Sequence, residues 1–203
     1  MALQASTFNE TTEALRAGKP AIFPTETVYG LGVAVEMAPS PEIIYELKER
    51  PHRKPISWLI ASVDDLDRYG KDIPSYARIL AETFWPGPLT LIVKAADRVP
   101  QAYQAQGGTI GLRMPNNHMA LQLIEAVGCP LATTSANRSG YLAPSSFSGL
   151  DEVLVTSCGT ALRDGTDADK SGVASTVIDC TNPQPKILRE GVVTEAYIRA
   201  LSE

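Results

Sequence analysis

Histidine and cysteine are scarce in this 203-residue chain, with two of the first and three of the second. Cys129, Cys158 and Cys180 are odd in number, far apart and without clustered histidines. That argues against a disulfide framework and against a zinc site of familiar spacing. His52 and His118 alone cannot make a histidine-rich metal centre, so no tightly bound transition metal is expected. No uninterrupted apolar run approaches the roughly 18 residues that cross a bilayer. The first nine residues have neither the basic start nor the apolar stretch of a signal peptide. A cytoplasmic chain with no membrane partner is the expectation. Positive charge is in deficit too: 18 Lys and Arg against 23 Asp and Glu leave −5. The surface as a whole repels polyanions, and any nucleic-acid contact must come from a local basic cluster.

No repeat, low-complexity tract or composition shift marks a linker, and this length favours one domain, expected to run over 1–203. Fifteen Gly and fifteen Pro cut the chain into short elements. Thr7 with Glu10 forms a capping box ahead of a helix to Ala17, stopped by Gly18. Ser40-Pro41-Glu42 starts a second helix, with Ser as cap and Pro in the first turn, which ends near Arg50 ahead of Pro51. Ser62 with Asp65 caps a third. Ser75–Phe84, Met119–Val127 and Thr194–Leu201 are also read as helices. Strands are expected at Ala21–Pro24, Ile56–Ile60, Leu89–Val93, Thr109–Met114, Leu131–Thr134, Val153–Val155, Thr176–Ile178 and Ile187–Leu188. Strands and helices alternate without regular βαβ units, which predicts one α/β domain with a mixed sheet.

Two phosphate-loop look-alikes are set aside. Gly30-Leu31-Gly32 follows a strand but lacks a third Gly and a helix behind it. Asp164–Ser171 ends in Lys-Ser, but Asp164 and Asp169 stand where a phosphate loop needs Gly; a solvated loop is expected there. No nucleophile elbow or triad is evident. What remains is a set of polar clusters at strand ends. Thr25-Glu26-Thr27-Val28-Tyr29 follows the first strand, with hydroxyls that either cap a turn or line a crevice. Lys48, Arg50, Arg53 and Lys54 crowd around Pro51 and Pro55, a stiff segment suited to phosphates. Ser135-Ala136-Asn137-Arg138 follows another strand, Ser175-Thr176 leads into a further one, and Arg189 ends the next. Several fixed cations, many hydroxyls and no obvious nucleophile suit a reaction between anions, driven by charge neutralisation and positioning.

Pro24-Thr25-Glu26-Thr27-Val28-Tyr29-Gly30-Leu31-Gly32, Lys48-Glu49-Arg50-Pro51, Phe84-Trp85-Pro86-Gly87-Pro88-Leu89-Thr90, Ser135-Ala136-Asn137-Arg138-Ser139-Gly140, Ser175-Thr176-Val177 and Leu188-Arg189-Glu190-Gly191 occur in the order found in YrdC-like proteins. From about Phe8 to Val193 the chain resembles this family of threonylcarbamoyl-AMP synthases, in its short, single-domain form without the additional carboxy-terminal domain. The resemblance implies an open, twisted sheet of mixed parallel and antiparallel strands around a basic cavity. It implies conversion of L-threonine, bicarbonate and ATP, with Mg²⁺, to threonylcarbamoyl-AMP and pyrophosphate. A threonylcarbamoyl-transferase complex would then be a partner in modifying tRNA, with direct tRNA contact left open. By motif, Lys48 and Arg50 resemble catalytic residues. Thr27, Arg113, Thr133 and Ser175 resemble threonine contacts, with Arg113 forking onto the carboxylate. Arg50, Lys54, Thr109, Ser135, Asn137 and Arg189 resemble nucleotide contacts, and Tyr29 lines the same cavity. Leu59, Ala143 and Ala174 depart from the family pattern, the first where longer members often carry a histidine. The alternatives are a non-catalytic double-stranded RNA-binding or ribosome-maturation protein on the same fold, and a YciO-like relative with another acceptor.

Overall fold

The computed structural model describes residues 3–52 and 54–201; Arg53, one of the expected cations, lies outside the described residues. In chain order the elements are α1 (Phe8–Arg16), β1 (Ala21–Phe23), β2 (Gly30–Ala34), α2 (Glu42–Lys48), β3 (Ser57–Leu59), α3 (Asp65–Tyr69), β4 (Gly70–Lys71) and α4 (Ser75–Phe84). There follow β5 (Leu89–Ala95), β6 (Thr109–Arg113), α5 (His118–Val127), β7 (Leu131–Ser135), α6 (Glu152–Cys158), β8 (Thr176–Asp179), β9 (Lys186–Arg189) and α7 (Glu195–Ala200). None of the described helices is long and apolar enough to cross a membrane.

Local chemistry explains most boundaries. At α1 the capping box is present: Glu10 N donates to Thr7 Oγ1 at 3.2 Å and Thr7 N donates to the Glu10 carboxylate at 2.7 Å. At α2 the expectation shifts by one residue. Pro41 occupies the cap position rather than the first turn and makes no side-chain cap bond, while the Glu42 amide still donates to Ser40 Oγ at 3.4 Å. Glu49 closes that helix in the left-handed region, at φ 49°. Gly30-Leu31-Gly32 lies within strand β2, antiparallel to β7, so it is no phosphate loop. Val153–Val155, expected as a strand, belongs to helix α6. The Asp151 carboxylate accepts from the Val153 and Leu154 amides at 2.8 and 3.1 Å, and Gly159 stops the helix. Leu154 and Cys158, four apart, turn inward. A strong cap and a helical burial period outweigh the β-preference of two valines.

The sheet runs β1-β2-β7-β3-β6-β5-β8-β9, with β4 paired to β5 off that path. Among the strand pairs of the described residues only β3–β6 and β5–β8 are parallel, so the sheet is mixed, as the alternation of elements predicted, and its order is open, as the resemblance implied. Side chains alternate between its faces with period two. One face carries Trp58, Leu91, Leu112 and Ala132, all buried in the apolar core. Trp58 meets the rings of Tyr69 and Tyr103 edge-on there, at 5.2 and 5.6 Å. The opposite face carries small and polar residues in register: Gly32 lies opposite Thr133, Thr133 opposite Ser57, Ser57 opposite Gly111, and Gly111 opposite Ile92. This row has no bulky residue except Ile92, and a hollow results.

Beyond β9 the chain folds back onto β8 through Thr176. The Thr176 hydroxyl donates to Val193 O at 2.6 Å and accepts from the Gly191 and Val193 amides at 2.9 and 3.1 Å. Gly191 is required by close approach: a Cβ there would lie 2.1 Å from Ala174 O. Thr176→Val keeps the side-chain shape but orphans buried groups, and is expected to cost about 1–3 kcal/mol of stability. The measurement is a lowered urea midpoint with unchanged denaturant slope; an unchanged midpoint would contradict the assigned role.

Candidate active site

The hollow is a cavity of about 420 Å³, walled by β2, β3, β5, β6, β7 and the segments around Arg50, Ser175 and Arg189. Of the expected site residues, Thr27, Arg50, Lys54, Thr109, Arg113, Thr133, Ser135, Ser175 and Arg189 all lie on its wall, as does Tyr29. They come from parts of the sequence as distant as Thr27 and Arg189. The wall has two ends of different character. Thr27, Ser175, Arg113 and Thr133 are 0%, 5%, 7% and 8% exposed and form a floor. Arg50, Thr109 and Ser135 are half-buried, and Lys54 and Arg189 are exposed, forming a cationic mouth.

Arg113, the last residue of β6, is held from three sides. Its Nε donates to Gly87 O at 3.2 Å, and its Nη2 donates to Glu26 Oε1 at 2.7 Å and to Thr27 Oγ1 at 3.0 Å. Gly87 is fixed in turn by its own amide, which donates to Met114 O at 2.8 Å. The Pro86-Gly87-Pro88 turn therefore buttresses the floor. The expected two-point fork of Arg113 onto a carboxylate needs correction, because Nε and Nη2 are already engaged. Nη1 is the nitrogen left for a ligand. The second oxygen of Glu26 is buried with no hydrogen-bond partner among the described residues.

The hydroxyls can be oriented from their obligate donations. Thr25 Oγ1 donates to Val28 O at 2.6 Å, so Thr27 is the donor in the 2.9 Å bond between the two threonines. Thr133 Oγ1 spends its proton on Leu131 O at 2.9 Å, and Ser135 Oγ on Asn137 Oδ1. Thr133 and Ser135 thus offer lone pairs to the cavity, while the guanidinium and ammonium groups offer N–H donors. Ser175 Oγ shares a 2.9 Å bond with Thr90 Oγ1 and accepts from Arg189 Nη2 at 3.3 Å. Arg189 Nε also donates to Ser175 O at 3.0 Å, tying mouth to floor.

At the mouth, Arg50 Nε and Nη2 donate to the carbonyls of Lys54 and Pro55 at 3.3 and 3.1 Å, wrapping the segment around its own guanidinium. Burial pulls the Arg50 pKa below the ordinary arginine value. Arg189, exposed as a residue but with its guanidinium packed on Ser175, is lowered as well, by desolvation of that group first and then by the charges of Arg113 and Arg50. Cations fixed close together at a partly enclosed hollow form a site for anions.

Two expected residues stand behind the wall. Lys48 is 1% exposed, and its Nζ donates to the carbonyls of Ser135 and Asn137. Asn137 bonds the carbonyls of Arg138 and Tyr141 at 2.8 Å each. Both shape the Ser135–Tyr141 turn that borders the cavity. Sequence reasoning gave no role to Ser57 or Thr90, which do line it. Their signal was positional: each lies an even number of residues from another wall residue on its strand, Leu59 and Ile92. Ala174 and Leu59 are also on the wall, so two of the three family departures face the cavity.

Burial, and secondarily Arg50, pulls the Lys48 pKa from 10.5 down to about 7. A neutral amine keeps two N–H donors, enough for both carbonyls. The unfolded chain then binds the Lys48 proton more tightly, so this residue's contribution makes stability rise from pH 7 toward 10.5. Lys48→Met is expected to lose that rise, read as the change in urea midpoint between pH 7 and pH 9 in the two proteins. Identical pH dependence would refute it.

Known proteins share this arrangement of segments. The model of the Sua5/YciO/YrdC family, whose description reads "Telomere recombination", matches residues 13–191. The chain is 41% identical over 177 residues to the threonylcarbamoyl-AMP synthase of Pyrococcus abyssi (strain GE5 / Orsay), covering 87% of this chain and 52% of that protein. It is 36% identical over 188 residues to the threonylcarbamoyl-AMP synthase of Bacillus subtilis (strain 168), covering 92% and 54%. The crystal structure of P. abyssi Sua5 complexed with L-threonine superposes with a TM-score of 0.86 at 36% identity, over 96% of this chain and 56% of that one. The chain spans about half the length of these relatives. With the family model covering most of its length and the fold shared, the chain belongs to the Sua5/YciO/YrdC family.

Proposed function

We propose that the cavity converts L-threonine, bicarbonate and ATP to threonylcarbamoyl-AMP and pyrophosphate. The observation that carries this reading is the joining of a buried, hydroxyl-lined floor to a cationic mouth within one 420 Å³ hollow. A small zwitterion suits the floor. Its carboxylate would meet Arg113 Nη1, and its ammonium and hydroxyl would donate to the lone pairs of Thr133 and Ser175. A triphosphate suits the mouth, against Arg50, Lys54 and Arg189, with Thr109 and Ser135 as further nucleotide contacts. The relatives named as threonylcarbamoyl-AMP synthases, and the neighbour complexed with L-threonine, support the same assignment.

The chemistry asked of the wall is positioning and charge neutralisation. The threonine nitrogen, once neutral, adds to the bicarbonate carbon, and water leaves as the carbamate forms. A carbamate oxygen then attacks the α-phosphorus in line, and the bond to the β,γ-pyrophosphate breaks. Arg50, Lys54 and Arg189 would hold the phosphate charge through this step. Lys48, although not on the wall, would act through the Ser135–Asn137 turn. Mg²⁺ belongs to this reading as an ion arriving on ATP, where it would neutralise phosphate charge. The cavity wall carries no carboxylate to hold it, and among the described residues no three His, Cys, Asp or Glu side chains converge.

The product is a reactive mixed anhydride, so a transferase complex that passes the threonylcarbamoyl group to tRNA is part of the proposal. A cytoplasmic setting is too, supported by three buried free thiols that fit a reducing compartment.

Pyrophosphate release from ATP is expected to require both threonine and bicarbonate; turnover unchanged on omitting threonine would end the synthase reading. Arg50→Ala is expected to lower kcat/KM by about a hundredfold, the scale for losing one preorganised charge partner. Arg68→Ala, on α3 with its side chain half-exposed, should stay within about twofold. Equal losses in steady-state pyrophosphate release would overturn the site map.

A further inference from the structure

The segment Asp164–Ser171, expected as a solvated loop, holds the most buried ion pair among the described residues. Lys170 Nζ reaches both oxygens of Asp164 at 3.0 and 3.2 Å and Thr166 Oγ1 at 3.2 Å. The side chains of Lys170 and Asp164 are 1% and 5% exposed. Asn117 Nδ2 donates to Asp164 Oδ2 at 2.8 Å, and Asp167 Oδ1 lies 3.7 Å from the ammonium. None of Asp164, Asp167 and Lys170 lies on the cavity wall.

What this cluster holds is the floor. Immediately after Lys170, the Ser171 and Gly172 amides donate to Glu26 O and Thr27 O, both at 3.0 Å. From the other side the Tyr29 hydroxyl donates to Asp167 Oδ1 at 2.7 Å, and the Phe147 amide donates to Asp167 Oδ2 at 2.9 Å. The ammonium also sits 5.1 Å above the Tyr29 ring. Three bonds therefore run from the ends of one charged loop to Glu26, Thr27 and Tyr29. Glu26 and Thr27 are the two side chains that orient Arg113 Nη2. A short, exposed-looking loop could follow thermal motion; one closed around a dehydrated ion pair cannot open without leaving charges unpaired in the interior.

We propose that the Lys170–Asp164 ion pair is a positioning clamp for the amino-acid end of the cavity. It fixes the Glu26–Tyr29 backbone, and through it the direction in which Arg113 presents Nη1. As a claim about threonine affinity the clamp rests on the synthase reading above; as a claim about the Glu26–Tyr29 segment it does not. Specificity is implied as well: the clamp reaches the floor residues, and among the described residues no hydrogen bond or ion pair joins Asp164, Asp167 or Lys170 to Arg50 or Lys54 at the mouth.

The test compares wild type with Lys170→Met and with Asp164→Asn/Lys170→Met. The single variant strands buried carboxylates and is expected to lose stability. The double variant removes both charges and should regain most of its melting temperature, which separates misfolding from mispositioning. In the ligand-free double variant, amide exchange of Glu26–Tyr29 is expected to quicken by about tenfold or more. L-Threonine binding, read by calorimetry, should weaken at least about tenfold, while ATP binding stays within about twofold. Unchanged exchange in that segment, or equal loss of threonine and ATP affinity, would overturn the clamp. If wild type binds no threonine, the synthase reading fails instead, and the exchange measurement still decides the clamp.

Discussion

A guanidinium buried on the floor of a cavity must be paired on most of its edges or it will not stay there. Arg113 sets that requirement, and much of the molecule answers it. The β6 strand delivers it at its end, beside Leu59 of the parallel strand β3. The Pro86-Gly87-Pro88 turn supplies a carbonyl, Glu26 a carboxylate and Thr27 a hydroxyl. With Nε and Nη2 consumed, the remaining nitrogen has one direction to point. Preorganisation of this kind makes the arginine a selective contact rather than a mobile charge. It also explains why Glu26, a carboxylate with one oxygen unpartnered among the described residues, is tolerated inside.

The second constraint is the alternation of side chains across a mixed sheet. Trp58, Leu112 and Ala132 build the core on one face, while their neighbours Ser57, Gly111 and Thr133 leave space on the other. Small residues are required in that row because the strands crowd it: a Cβ on Gly32 would lie 2.7 Å from Thr133 Oγ1, and one on Gly111 2.9 Å from Ser57 Oγ. The same pleat that packs the core therefore opens the cavity, and mouth cations from connecting segments then gather over it. Arg189, bonded to Ser175, shows how the two ends are coupled in geometry as well as in charge.

Where local rules act alone, the amino-acid sequence was a good guide. The capping box at Thr7 and Glu10, the helix Ser75–Phe84, the stop at Gly128 and most strand positions follow from neighbours within a few residues. The polar clusters at strand ends were also legible, since connections at strand ends carry ligands in open α/β sheets. One error was local: Val153 and Val155 are β-branched, but the aspartate cap two residues ahead of Val153 outweighs them. Other errors arose where distant partners decide. Lys170 and Asp164 looked like solvated loop charges, because nothing in the neighbouring sequence reveals that Tyr29 and Asn117 close over them.

The sequence by itself determined most of the elements, though not strand β2 or helix α6, together with the supply of hydroxyls and cations and the family to which they belong, because each is written in short motifs and local periodicity. Only the tertiary structure decided which of those groups share a wall. It put Ser57 and Thr90 on the cavity and Lys48 behind it, left Arg113 a single free edge, and turned a loop of apparent surface charge into a buried brace. The physical reason is that strand register and desolvation are set by pairings between residues far apart in the chain, and a charge takes its meaning from what excludes water around it.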